Sequence, residues 1–113
     1  MPYINIRTNK TVTAEQAEQI KSALGQAISL IPGKSENWLM VGIEGDRALW
    51  FQGKPDVAAM VSVSLYGEAS DAALNALTAK ITSLLHEELW IREDRIYVAY
   101  FSTPHWGWNG SNL

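Results

Sequence analysis

Ala58-Ala59-Met60-Val61-Ser62-Val63-Ser64-Leu65-Tyr66-Gly67 decides the architecture of this chain. Ala59, Val61, Val63 and Leu65 alternate with Met60, Ser62, Ser64 and Tyr66. A period of two with one apolar row predicts a half-buried strand, and Gly67 closes it. Downstream, Ser70 reads as a helix N-cap with Asp71 in the first turn. Leu74, Leu77, Ile81, Leu84 and Leu85 then form an apolar stripe that ends near Leu89. Arg92 to Asp94 reads as a charged, solvated turn with Arg95 available for an ion pair, and Arg95 to Ser102 as another alternating strand.

The same order stands upstream. Residues 2–7 read as a strand and Thr8 to Val12 as a polar connection. Thr13 and Gln16 form a capping box. Ala17, Ile20, Leu24, Ala27, Ile28 and Ile31 make one helical face, stopped by Pro32-Gly33. Trp38 to Glu44 is predicted as a strand, Gly45-Asp46 as a turn, and Arg47 to Gln52 as a short strand or an extended loop. The second strand–helix–strand unit begins about half a chain length after the first. Each helix is long enough to cross over and let its flanking strands pair in parallel. The prediction is an α+β fold: two βαβ halves in one four-stranded mixed sheet, with both helices on one face. The uncovered face and the sheet edges favour association with further copies.

At 113 residues, with 47% apolar and 19% charged residues, residues 1–113 suffice for a single domain with one core. The absence of cysteine excludes disulfides, thiolate ligands and cysteine nucleophiles. A net charge of −3 offers no electrostatic footprint for nucleic acid. No secretory signal or long apolar run is visible, which predicts no membrane partner and a cytoplasmic location, with leaderless export left open. Asn9-Lys10-Thr11 and Asn109-Gly110-Ser111 match the glycosylation pattern by chance on that reading. Asn109-Gly110 also favours a tight turn between short strands.

Chemistry concentrates at the start. Met1-Pro2 permits removal of the methionine, which leaves Pro2 with a free secondary amine at the head of a strand. An α-amino group titrates near 7.7–8.0, and burial or a nearby cation lowers that value. A base poised near neutral pH suits proton abstraction. Five tryptophans (Trp38, Trp50, Trp90, Trp106 and Trp108) are more than so small a core hides, so some are expected in a pocket or subunit interface. His86 reads as a solvated or salt-bridged helix residue, and His105 as a candidate for a pocket rim. The two histidines and scattered carboxylates give no metal-ligand spacing, and Ser62 and Ser64 have no triad partners.

Taken in order, Met1-Pro2, Pro32-Gly33-Lys34, Gly67, Asp94-Arg95-Ile96-Tyr97 and Gly107-Trp108-Asn109-Gly110-Ser111 span the whole chain. In these features the sequence resembles the tautomerase superfamily and, within it, the macrophage migration inhibitory factor (MIF) group. The resemblance implies a homotrimer whose sheets wrap into a central barrel with the helices outside, and an active site at each subunit interface. It implies cofactor-independent keto–enol tautomerisation of a phenylpyruvate-like α-keto acid, with Pro2 as the base. Lys34 matches the cation near the amine and Tyr97 the tyrosine contributed by a neighbouring subunit. Tyr66 falls where the group often has isoleucine, whose backbone N–H holds the ligand. Trp38, Trp106 and Trp108 fall at pocket-wall positions. Ala99 replaces a pocket asparagine, so the implied pocket is more aromatic and less polar than is usual. The group's CxxC is absent; Ala58-Ala59-Met60-Val61 stands in its region. Two alternatives remain open at this level. One is a MIF-like binding or signalling protein with weak or no tautomerase activity. The other is a different proline-based reaction, such as hydration or dehalogenation of a small unsaturated acid.

Overall fold

The computed structural model describes residues 1–113. The first strand, β1 (Pro2–Thr8), is followed by helix α1 (Ala14–Ala27) and strand β2 (Met40–Glu44). Strand β3 (Ala59–Tyr66) opens the second half, with helix α2 (Asp71–Leu89) and strand β4 (Ile96–Thr103) after it. Two short strands, β5 (Gly107–Trp108) and β6 (Ser111–Asn112), form a terminal hairpin.

The sheet order is β2-β1-β3-β4. β1 and β3 run antiparallel in the centre, while β2 pairs with β1 and β4 with β3 in parallel. Each parallel pair is joined through a helix, as the crossover requirement dictates. The two predicted βαβ halves and the mixed sheet are therefore present.

Local chemistry explains the helices. Thr13 Oγ1 accepts from the Gln16 N–H while Gln16 Oε1 accepts from the Thr13 N–H, which completes the capping box. Ser70 Oγ caps α2 through the Ala73 N–H. At its other end Trp90 takes a left-handed conformation (φ 61°) that stops the helix. Ile20, Leu24 and Ala27 of α1 meet Leu77, Ile81, Leu84 and Leu85 of α2 in one buried cluster with Ile4, Ile6, Val61, Val63 and Leu65 from the sheet. The alternation of β3 is thus realised: the Val61, Val63, Leu65 row is buried, while Met60, Ser62, Ser64 and Tyr66 line the open face. No helix is long and apolar enough to cross a membrane.

Two expectations need correction. β2 starts at Met40, not Trp38. Residues Glu36–Trp38 form a 3₁₀ turn because the Trp38 and Leu39 N–H groups bond back to the Ser35 and Glu36 carbonyls. Of the two alternatives for Arg47 to Gln52 the loop is realised, with a single bridge between Phe51 and Lys54. Arg95 belongs neither to a solvated turn nor to an ion pair: only 7% exposed, it donates to backbone carbonyls, while Asp94 pairs with Arg92.

Candidate functional site

The candidate site lies where β1 starts and β3 ends. Pro2 is buried and paired with Leu65, one residue before Tyr66. Tyr66 donates its N–H to the Met1 carbonyl at 3.1 Å and accepts at its own carbonyl from Lys34 Nζ at 2.8 Å. Lys34 reaches this point because α1 ends in a 3₁₀ turn over Ile28–Leu30, and the Lys34 N–H closes onto the Ile31 carbonyl. Partial burial, then the charge of Lys34 and its hydrogen bond, hold the Met1 amine below the ordinary α-amine value. Lys34, Tyr66 and the chain start therefore form one polar node.

Beside that node lies a cavity of about 350 Å³. Met1, Pro2 and Tyr3 line one side, Trp38 and Met40 another, and Trp106 with Trp108 a third. Trp38 and Trp108 meet edge to face with ring centroids 5.1 Å apart. Pro2, Trp38, Trp106 and Trp108 are thus brought together, while Lys34 and Tyr66 do not line the cavity and connect to it through the Tyr66–Met1 bond.

Tyr97 is not in this cavity. It pairs with Met60, whereas Pro2 pairs with Leu65, five residues further along β3 and about 17 Å away at ~3.3 Å per residue. Its ring is 60% exposed on the open face. Ala99 pairs with Ser62 on the same face and lines no cavity here. His105 bonds only to Thr103 and does not line the pocket, and exposed His86 bonds to the Ile91 carbonyl instead of a carboxylate.

Sequence reasoning missed Tyr3, Asn37, Leu39, Met40 and Gly107 as lining residues. Tyr3 follows Pro2 and could have been read from strand alternation. Met40 enters only because β2 pairs with β1 in the register Tyr3–Met40, a tertiary fact. Another cavity of about 350 Å³ lies over Arg7, Glu44 and Arg47. Its carboxylate is already bonded to Asn5 and both arginines, which leaves no free base.

The sequence profile described as "Macrophage migration inhibitory factor (MIF)" matches residues 1–113. This chain belongs to the MIF family. The MIF of Meriones unguiculatus is 29% identical to it, an alignment that covers 100% of this chain and 99% of that protein. A MIF homologue of Brugia malayi is 26% identical with the same coverage. The crystal structure of Leishmania major MIF2 superposes with a TM-score of 0.94 at 30% identity, covering 100% of this chain and 97% of that one. The tautomerase-type fold expected from the sequence is thereby shown, and with it membership of a family of MIF and tautomerase proteins.

Proposed function

We propose that this MIF-family chain is a keto–enol tautomerase for a phenylpyruvate-like α-keto acid, with the Pro2 amine as general base. It acts without a cofactor, as a homotrimer of single-domain subunits. The observation that carries this reading is the convergence of Lys34 and Tyr66 on a chain start that itself lines a tryptophan-rich cavity.

Met1 occupies that node in this chain. Its carbonyl takes the Tyr66 N–H, and its amine lies beside Lys34. Removal of Met1 leaves a secondary amine on Pro2 and frees the Tyr66 N–H for a ligand oxygen. The neutral amine then takes a proton from the carbon next to the keto group. The electron pair moves onto the carbonyl oxygen, and the proline ammonium returns the proton there, which yields the enol. The reverse reaction uses the same groups. Lys34 binds the substrate carboxylate and disfavours the protonated amine. Trp38, Trp106 and Trp108 receive the aryl ring.

The test joins intact mass to kinetics. Loss of Met1 with phenylpyruvate turnover abolished in Pro2→Gly is the expected result; full activity in that variant would overturn the proline mechanism. The Met1 contacts favour a second reading should the methionine be retained: the site would then be capped, and the protein would serve as a MIF-like binding or signalling module. Intact mass separates the two.

A further inference from the structure

Arg95 is the one arginine withdrawn from solvent, and the proposed proton transfer does not use it. Its Nε donates to the Val57 carbonyl at 3.0 Å. Its Nη2 reaches the carbonyls of Phe51 (3.3 Å), Lys54 (3.3 Å) and Asp56 (3.0 Å). No carboxylate bonds to this guanidinium; the loop from Phe51 to Val57 supplies every acceptor. Burying a cation is costly unless its donors are satisfied, and here oriented backbone dipoles satisfy them.

The loop so clamped has a defined shape. Phe51 and Lys54 exchange both of their backbone hydrogen bonds around Gln52 and Gly53, whose φ angles are 55° and 73°. This tight turn holds the Phe51 ring under the guanidinium, 5.1 Å from its carbon to the ring centroid. The other edge of the same ring meets Tyr97 at 4.8 Å between centroids and 70° between planes. Arg95, Phe51 and Tyr97 therefore form a continuous stack that runs from a buried cation to an exposed phenol.

We propose that Arg95 is a positioning residue for a pocket shared between copies of this chain: through Phe51 it fixes the Tyr97 ring that one subunit presents to the next. This rests on the reading above that the pocket is completed by a neighbour. The geometry fits that arrangement, since Tyr97 lies too far from its own Pro2 to touch the same ligand. Two residues along β4 from the clamped Arg95, the exposed Tyr97 ring is packed against Phe51. Ordering it in advance lowers the entropy lost when a ligand is bound.

The test uses Met1-processed protein and the dissociation constant of phenylpyruvate, read by quenching of tryptophan fluorescence. That readout is independent of turnover. Phe51→Leu keeps apolar volume and removes the ring edge. An edge-to-face pair contributes about 0.5–1.5 kcal/mol, so the expected loss of affinity is about 2- to 12-fold. Arg95→Lys should weaken binding in the same direction; if it fails to fold, Phe51→Leu carries the test. In a Tyr97→Leu background, Phe51→Leu should cost nothing further. Unchanged affinity in Phe51→Leu, or an equal loss with and without Tyr97, would overturn the positioning role. If Tyr97→Leu alone leaves affinity unchanged, the shared pocket fails and this proposal with it. A loss in Tyr97→Leu but none in Phe51→Leu rejects only the role of the stack.

Discussion

Lys34 and Tyr66, 32 residues apart in the chain, are joined by a 2.8 Å hydrogen bond from the lysine ammonium to the tyrosine backbone carbonyl. The bond ties the end of the first helical segment to the end of β3 and fixes a positive charge beside the start of β1. A backbone acceptor leaves that charge unneutralised, so its field acts on the neighbouring amine.

The proline base works unprotonated, so kcat/KM should fall as pH drops through the amine's pKa. Burial and Lys34 lower the pKa of the Met1 amine; the same two causes acting on the Pro2 amine should place this acidic limb below the range of an unperturbed amine. Lys34→Ala removes the charge and keeps the burial. The limb should move to higher pH without reaching the unperturbed value, and pH–rate profiles of the two proteins measure it. An unmoved limb would separate Lys34 from the base.

Gly42 should control both Tyr3 and Glu44. A methyl group there would stand 2.7 Å from Asn5 Oδ1 and 3.0 Å from the Tyr3 hydroxyl. The crowding falls on the amide that makes the 2.9 Å bond to Glu44, the foremost cause that holds the Glu44 carboxyl at about 2, ahead of Arg7. In Gly42→Ala the Glu44 carboxyl should titrate higher, which a carboxyl NMR titration reads. A depressed carboxylate stabilises the fold above its ordinary pKa and loses that contribution as pH falls toward about 2. The variant should therefore show a shallower loss of urea stability over that acidic window.

Asn9 holds the same loop that Arg95 grips, and both donate to the Asp56 carbonyl. Its Nδ2 contacts the carbonyls of Leu49, Pro55 and Asp56, and its Oδ1 accepts the Ala58 N–H at 2.9 Å. Asn9→Ala should cost about 1–3 kcal/mol in denaturant unfolding and speed amide exchange at Ala58. Unaltered exchange would show that Arg95 alone orders the loop.

Trp38→Ala should loosen the terminal hairpin. Its edge-to-face contact with Trp108 couples β5 to the 3₁₀ turn ahead of β2. Losing about 0.5–1.5 kcal/mol of pairing should raise order-parameter mobility at Gly107 and Trp108 and weaken phenylpyruvate binding. Rigid hairpin amides in the variant would place the anchor elsewhere.

Much of the fold was legible because local rules and burial agree. The capping box at Thr13, the side-chain cap at Ser70, the alternation of β3 and the Asn109-Gly110 turn each satisfy a backbone or packing demand within a few residues. Arg95 was misread because its partners lie about 40 residues away and are backbone carbonyls, which no side-chain pattern advertises. Trp38 was misread because an apolar run masked a turn closed by backbone bonds.

The sequence alone determined two strand–helix–strand units, their helical and apolar faces, and the residue types from which a proline-based site can be built, since periodicity and capping are short-range. Only the tertiary structure decided that Lys34 bonds to Tyr66, that Met40 joins Tyr3 at the cavity, and that Tyr97 faces away from its own Pro2. Those facts depend on strand register and crossover packing, where one step along a strand exchanges one face of the sheet for the other.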